Sequence, residues 1–166
     1  MTKKPKVIAY KRKREGRTNY KKRLNLLMGR KPRLVVRPTL KNMIAQLVDF
    51  DPKGDKVLVT VHSSSLTKFG WKAGKGNVPA AYLCGYLLGL KGQKAGVKEA
   101  VLDMGWRSST KGNRIYACLK GALDAGLKIN HDKEILPSED RLKGKHIAEE
   151  IAGQIESVKK AMVGEK

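Results

Sequence analysis

The sequence predicts an α/β protein: a mixed β-sheet in which an antiparallel meander is followed by a βαβαβ stretch, with a basic extension in front and a C-terminal amphipathic helix behind. Three observations carry that prediction. Short segments rich in β-branched and aliphatic residues crowd between residues 33 and 62, and "DPKGD" at 51 to 55 supplies a Pro and Gly turn. Beyond Asn77 the apolar spacing becomes helical and alternates with further short strands. The charge is uneven: Lys and Arg number 36 against 15 Asp and Glu, a formal net charge of +21, and residues 1 to 41 hold 16 of those bases with a single acid, Glu15.

The extension comes first in the chain. "YKRKREGRTNYKKRL" at 10 to 24 has too little apolar surface to repay the ordering of its backbone, so by itself it is expected to stay unfolded until a polyanion orders it. "RLVVR" (33 to 37), "MIAQLVDF" (43 to 50) and "VLVTVH" (57 to 62) follow as the three meander strands. Asn77, with Pro79 close behind, caps a helix whose stripe runs through Ala80, Leu83, Cys84, Leu87 and Leu88 and which ends near Gly92 to Gly96. "VKEAVLDM" (97 to 104) reads as a strand. A second helix starts from a cap at Asn113, runs through Ile115, Leu119, Ala122 and Leu123, and stops at Gly126 before a short strand at 127 to 129. Strands alternating with helices imply parallel pairing through right-handed crossovers. Residues 130 to 145 read as a polar surface loop. Ile147, Ile151, Ile155, Val158 and Met162 form the stripe of a final helix, with Glu149 and Glu150 early and Lys159 and Lys160 late, as the helix dipole favours. The expected divisions are an extension at 1–30, a core at 31–130, a loop at 131–146 and a helix at 147–166.

A field of this sign calls for a polyanionic partner. An anionic membrane is disfavoured, because residues 3 to 23 offer only Val7, Ile8, Tyr10 and Tyr20 as large apolar residues, and no apolar run nears the roughly 18 residues of a membrane span. The chain reads as cytosolic. Cys84 and Cys118 lie inside apolar helical patterns without a neighbouring cysteine and read as buried, reduced thiols.

The connections "HSSSLTKFGWKAGKGN" (62 to 77) and "GWRSSTKGNR" (105 to 114) leave strands at one edge of the sheet and feed helix N-termini. Backbone N–H groups and Lys68, Lys72, Lys75, Arg107, Lys111 and Arg114 then converge where phosphate would be welcome. Phe69, Trp71 and Trp106 lie among these bases. Each tryptophan either stacks on an unpaired base or plugs the core beneath its loop, and the sequence leaves both open.

Catalytic readings fail on spacing. "GWKAGKG" lacks the four-residue gap and the hydroxyl of a phosphate loop, and no dinucleotide fingerprint follows the first strand. His62, His131 and His146 show no metal-ligand spacing, and His62 beside Ser63, Ser64 and Ser65 lacks a nucleophile elbow. Asp49, Asp51 and Asp103 are too few for two-metal phosphoryl transfer. No cofactor, metal or small-molecule substrate is expected.

Three segments, "RLVVRPTLKNMIAQLVDF", "KFGWKAGKGNVPAAYLCGYLLG" and "VLDMGWRSSTKGNRIYACLKGALDAGLKINH", in that order, resemble the universal family of large-subunit ribosomal proteins that bind 5S rRNA. "KFGWKAG" and "TKGNRIYACLKGALDAGL" are closer to its archaeal and eukaryotic branch, and "HIAEEIAGQI" agrees. The resemblance implies a ribonuclease-H-like topology used without catalysis. It also implies a basic extension that joins the core in gripping 5S rRNA and tying it to the large rRNA and to neighbouring proteins of the central protuberance. Carried onto this chain, it points to Lys11, Arg12, Lys13, Arg14, Arg17, Asn19, Tyr20, Lys21, Lys22, Arg23, Arg30, Lys31 and Arg33 in the extension. In the loops it points to Lys68, Phe69, Trp71 and Lys72, and to the run from Arg107 through Lys111 to Arg114.

Overall fold

A computed structural model describes residues 7 to 164, apart from the side chains of Glu149 and Glu150. The expected contributions of residues 1 to 6 and of those two glutamates therefore lie outside the described residues. The chain opens with two helices, α1 (Lys11–Arg14) and α2 (Tyr20–Met28), then the meander β1 (Arg33–Pro38), β2 (Met43–Asp49) and β3 (Lys56–His62). A 3-10 helix, Ser63–Phe69, leads to α3 (Val78–Lys94), followed by β4 (Glu99–Asp103), α4 (Arg114–Asp124) and the two-residue β5 (Lys128–Ile129). A short 3-10 turn, α5 (Glu139–Leu142) and α6 (Glu149–Gly164) complete it.

The sheet order is β3-β2-β1-β4-β5. β1 is antiparallel to β2 and β2 to β3, while β4 is parallel to both β1 and β5. β4 thus enters beside β1 rather than beside β3, a crossover over two strands that alternation alone does not reveal. The mixed sheet is the one expected. β3 and β4 run in the same direction, so the loops after them emerge on one edge.

Period-two alternation divides the sheet into unlike faces. Leu34, Val36, Met43, Ala45 and Leu47 are buried against α3 and α4. Arg33, Val35, Arg37, Gln46, Val48 and Asp103 point to the other face and line a cleft there. α3 is buried on nearly every side, from Val78 to Gly92, because the sheet, α4, α5 and α6 surround it. Its sequence stripe marks only part of that contact.

α3 and α4 cross at a distance that only glycine permits. A Cβ on Gly121 would stand 2.0 Å from the Tyr82 carbonyl oxygen, and one on Gly85 would stand 1.9 Å from that of Cys118. Backbone on both sides cannot yield as a side-chain tip can. Gly121→Ala is therefore expected to force the helices apart and cost about 2–3 kcal/mol, read as a lower urea midpoint. Equal stability of the variant would show that the crossing is looser.

α6 docks on α3 through Ile151, Ile155, Val158 and Met162, all buried, while Lys159 lies 4.5 Å from the Tyr82 ring centre and 5.3 Å from that of Tyr86. Ile147 departs from the expected stripe: it precedes the helix and is exposed. The expected loop at 130–145 is partly helical, with α5 burying Leu142. Cys84 and Cys118 are free and buried, and burial pushes the Cys84 thiol up to about 12. Among the described residues no helix is long and apolar enough to cross a membrane.

Candidate nucleic-acid interface

The extension was expected to lack structure of its own, and the structure corrects this. Asn19 accepts a hydrogen bond from the Lys22 amide at 3.0 Å and so caps α2. The Tyr20 ring packs 5.1 Å from that of Tyr10, and Arg12 Nε donates to Thr18 Oγ1 at 2.9 Å. Asn19 and Tyr20, expected on the RNA, thus already serve the local fold. Yet neither α1 nor α2 buries a single residue. Polar contacts hold them, above all one: Arg23 grips Asp55 with two hydrogen bonds of 2.8 Å each.

Asp55 lies in the β2–β3 turn and is shared. Arg33 Nη2 reaches it at 2.6 Å, while Arg33 Nη1 reaches Asp103 at 2.8 Å. Arg33 is 4% exposed, so it does not stand among the phosphate contacts expected of it. It is a buried cation spanning two carboxylates, and its Nε meets no partner. Burial works to raise the Asp55 carboxyl, but hydrogen bonds from Arg23 and Arg33 bring it below its ordinary 3.8. Because the folded value is the lower one, this stabilisation is complete above pH 3.8 and is lost as pH falls through the folded value. Arg33→Met should cost about 2–3 kcal/mol near neutral pH, since two partly buried carboxylates lose a partner. Urea unfolding at pH 7 and below pH 3.8 checks this; the deficit should shrink in acid.

The remaining bases fall into distinct groups. Lys11, Arg12, Lys13, Arg14, Arg17 and Lys21 are exposed along the two helices, with Arg17 loosely paired to Glu15 at 3.1 Å. Lys22 is half-buried, its Nζ 3.4 Å from the Gly105 carbonyl oxygen. Arg30 is exposed at a φ of 47°, where the chain turns from α2 into β1, and Lys31 pairs with Glu99 at 2.6 Å.

The two loops converge as expected. Arg114 Nη1, at the start of α4, donates to the Gly76 carbonyl at 2.8 Å and to that of Thr39 at 3.1 Å, while Arg107 donates to the Pro38 carbonyl at 2.7 Å. Asn77 and Asn113 cap α3 and α4 side by side. Lys68, Lys72 and Lys111 are exposed around this edge, with Lys111 3.7 Å from Glu134. His62 Nδ1 accepts from the Ser64 amide at 3.1 Å, capping the 3-10 helix, and also lies 2.5 Å from the Ser64 hydroxyl.

The tryptophans part company. Trp71 is 1% exposed, its Nε1 donating to the Gly74 carbonyl at 3.2 Å, so it plugs the core and cannot stack on a base; Phe69 beside it is half-buried against the same core. Trp106 is 56% exposed. It stands over the cleft of about 800 Å³ between α2 and the open sheet face. The basic aromatic loop marks it in the sequence as it marks Trp71; only burial separates the two.

Residues 6–96 and 90–132 match the family described as ribosomal large subunit proteins 60S L5 and 50S L18. The chain belongs to this family. Over 141 residues it is 53% identical to the large ribosomal subunit protein uL18 of Korarchaeum cryptofilum (strain OPF8), an alignment covering 85% of this chain and 72% of that protein. As a member of the 60S L5 and 50S L18 family, the chain is a protein of the large subunit of the cytoplasmic ribosome, where RNA binding is expected. The matched segments reach from the extension through β5, so they contain both the basic helices and the two loops.

Proposed function

We propose that the chain is a non-enzymatic constituent of the large subunit that binds 5S rRNA and attaches it to the large rRNA and to neighbouring proteins at the central protuberance. The observation that carries the RNA contact is the row of exposed bases on α1 and α2, standing beside a cleft whose own acids are already engaged. Asp55 and Asp103 are committed to arginines, so this face offers cations to phosphate rather than carboxylates to a metal. The choice of 5S rRNA follows from the family resemblance of the three segments. In this reading the bases neutralise phosphates and release condensed counterions, while the loops at the sheet edge supply shape.

Filter binding of 5S rRNA against unrelated RNAs of equal length tests it. Selective binding is expected, with a log–log salt slope on the order of −4 to −7 if about five to eight phosphates are neutralised. Equal affinity for every RNA, or metal-dependent cleavage of any of them, would overturn it.

A further inference from the structure

We infer that Trp106 forms a stacking platform for one unpaired ribonucleotide, which enters the cleft between α2 and the open face of the sheet; this rests on the RNA-binding reading. An indole that is 56% exposed gains little for the core, yet the residues on both sides of it are held. Gly105, at a φ of 63°, turns the chain into the loop, and its amide donates to Asp103 Oδ1 at 2.9 Å. On the far side Arg107 holds the Pro38 carbonyl at 2.7 Å. From across the cleft, Lys22 approaches the Gly105 carbonyl at 3.4 Å. Such anchoring lowers the cost of ordering the loop on binding.

The cleft fits the occupant. Its volume of about 800 Å³ lies within the usual range for sites that enclose a small molecule or a nucleotide. Val57, 49% exposed, supplies apolar surface beside the largely covered Val35 and Val48, and a base face can rest there. Arg12, Arg17 and the exposed Arg37 stand around it as donors for the flanking phosphates, while the cleft's carboxylates are held by Arg23 and Arg33. An apolar floor, an exposed indole on a held loop and surrounding guanidinium groups recognise a splayed-out base with its phosphates. A paired stem keeps its base faces hidden.

The full chain has two tryptophans, and Trp71 is buried, so changes in intrinsic fluorescence on RNA binding isolate Trp106. With 5S rRNA as the probe, the natural protein should show quenching, and Trp106→Phe, which keeps only Trp71, should not. Trp106→Ala should weaken 5S rRNA binding about 10- to 100-fold with the salt slope unchanged, while Trp106→Phe retains most of the affinity. A fully paired RNA stem should leave the indole unquenched. Tight 5S rRNA binding with unquenched Trp106, wild-type affinity in Trp106→Ala, or equal quenching by the paired stem would each overturn the platform and leave the RNA-binding reading standing. Failure of the natural protein to bind 5S rRNA at all would remove both.

Discussion

Trp71→Ala is expected to destabilise the protein by about 3–5 kcal/mol while leaving the RNA affinity of the folded molecules within about twofold. The side chain is 1% exposed inside the main core, beneath a loop whose Trp71 amide donates to the Leu66 carbonyl and whose indole donates to that of Gly74. Its removal leaves a void in a packed interior and orphans the Gly74 acceptor. For a domain of this size the loss corresponds to a fall in Tm of roughly 6–20 °C. Thermal unfolding followed by near-ultraviolet circular dichroism measures the first part; filter binding at low temperature measures the second. The opposite pattern, unchanged Tm with lost RNA binding, would place the indole on RNA and refute its burial.

Replacing Lys11, Arg12, Lys13, Arg14, Arg17 and Lys21 together by Gln should lower 5S rRNA affinity about a thousandfold at physiological salt and flatten the salt slope by roughly four. These six are exposed and lie on α1, on α2 or between them, and Gln supports a helix nearly as well as Lys or Arg. Arg23 is left in place because its bidentate grip on Asp55 ties α2 to the core. A folded variant with an undiminished slope would mean that the phosphates are met elsewhere, by Lys68, Lys72 and Lys111 at the sheet edge. The mechanism differs from that of an unstructured tail. With α2 already docked, binding orders less chain, so less of the electrostatic gain is lost to entropy.

The same residues show how far sequence reading reached. Asn77 and Asn113 marked the starts of α3 and α4 because a cap is a local interaction between a side chain and amides two or three residues ahead. The meander strands and α6 were legible for a similar reason: their periodicities record which face each element buries. The fate of Arg33 was not legible. In the chain it is one more base in a basic stretch, and only the sheet brings it between Asp55 and Asp103, 22 and 70 residues away. Trp71 and Trp106 look alike as letters, an aromatic after a glycine in a basic loop, and packing alone sends one inward and the other out.

By itself, the sequence determined the types of the core strands and helices and of the last helix, the mixed character of the sheet and the polycationic charge, since caps, periodicity and net charge are local or additive properties of a chain. Tertiary structure alone decided the insertion of β4 beside β1, the docking of the basic helices and the division of aromatics and arginines between core and surface. Those depend on which distant groups meet, and a buried charge or ring is stabilised only by partners that folding brings to it.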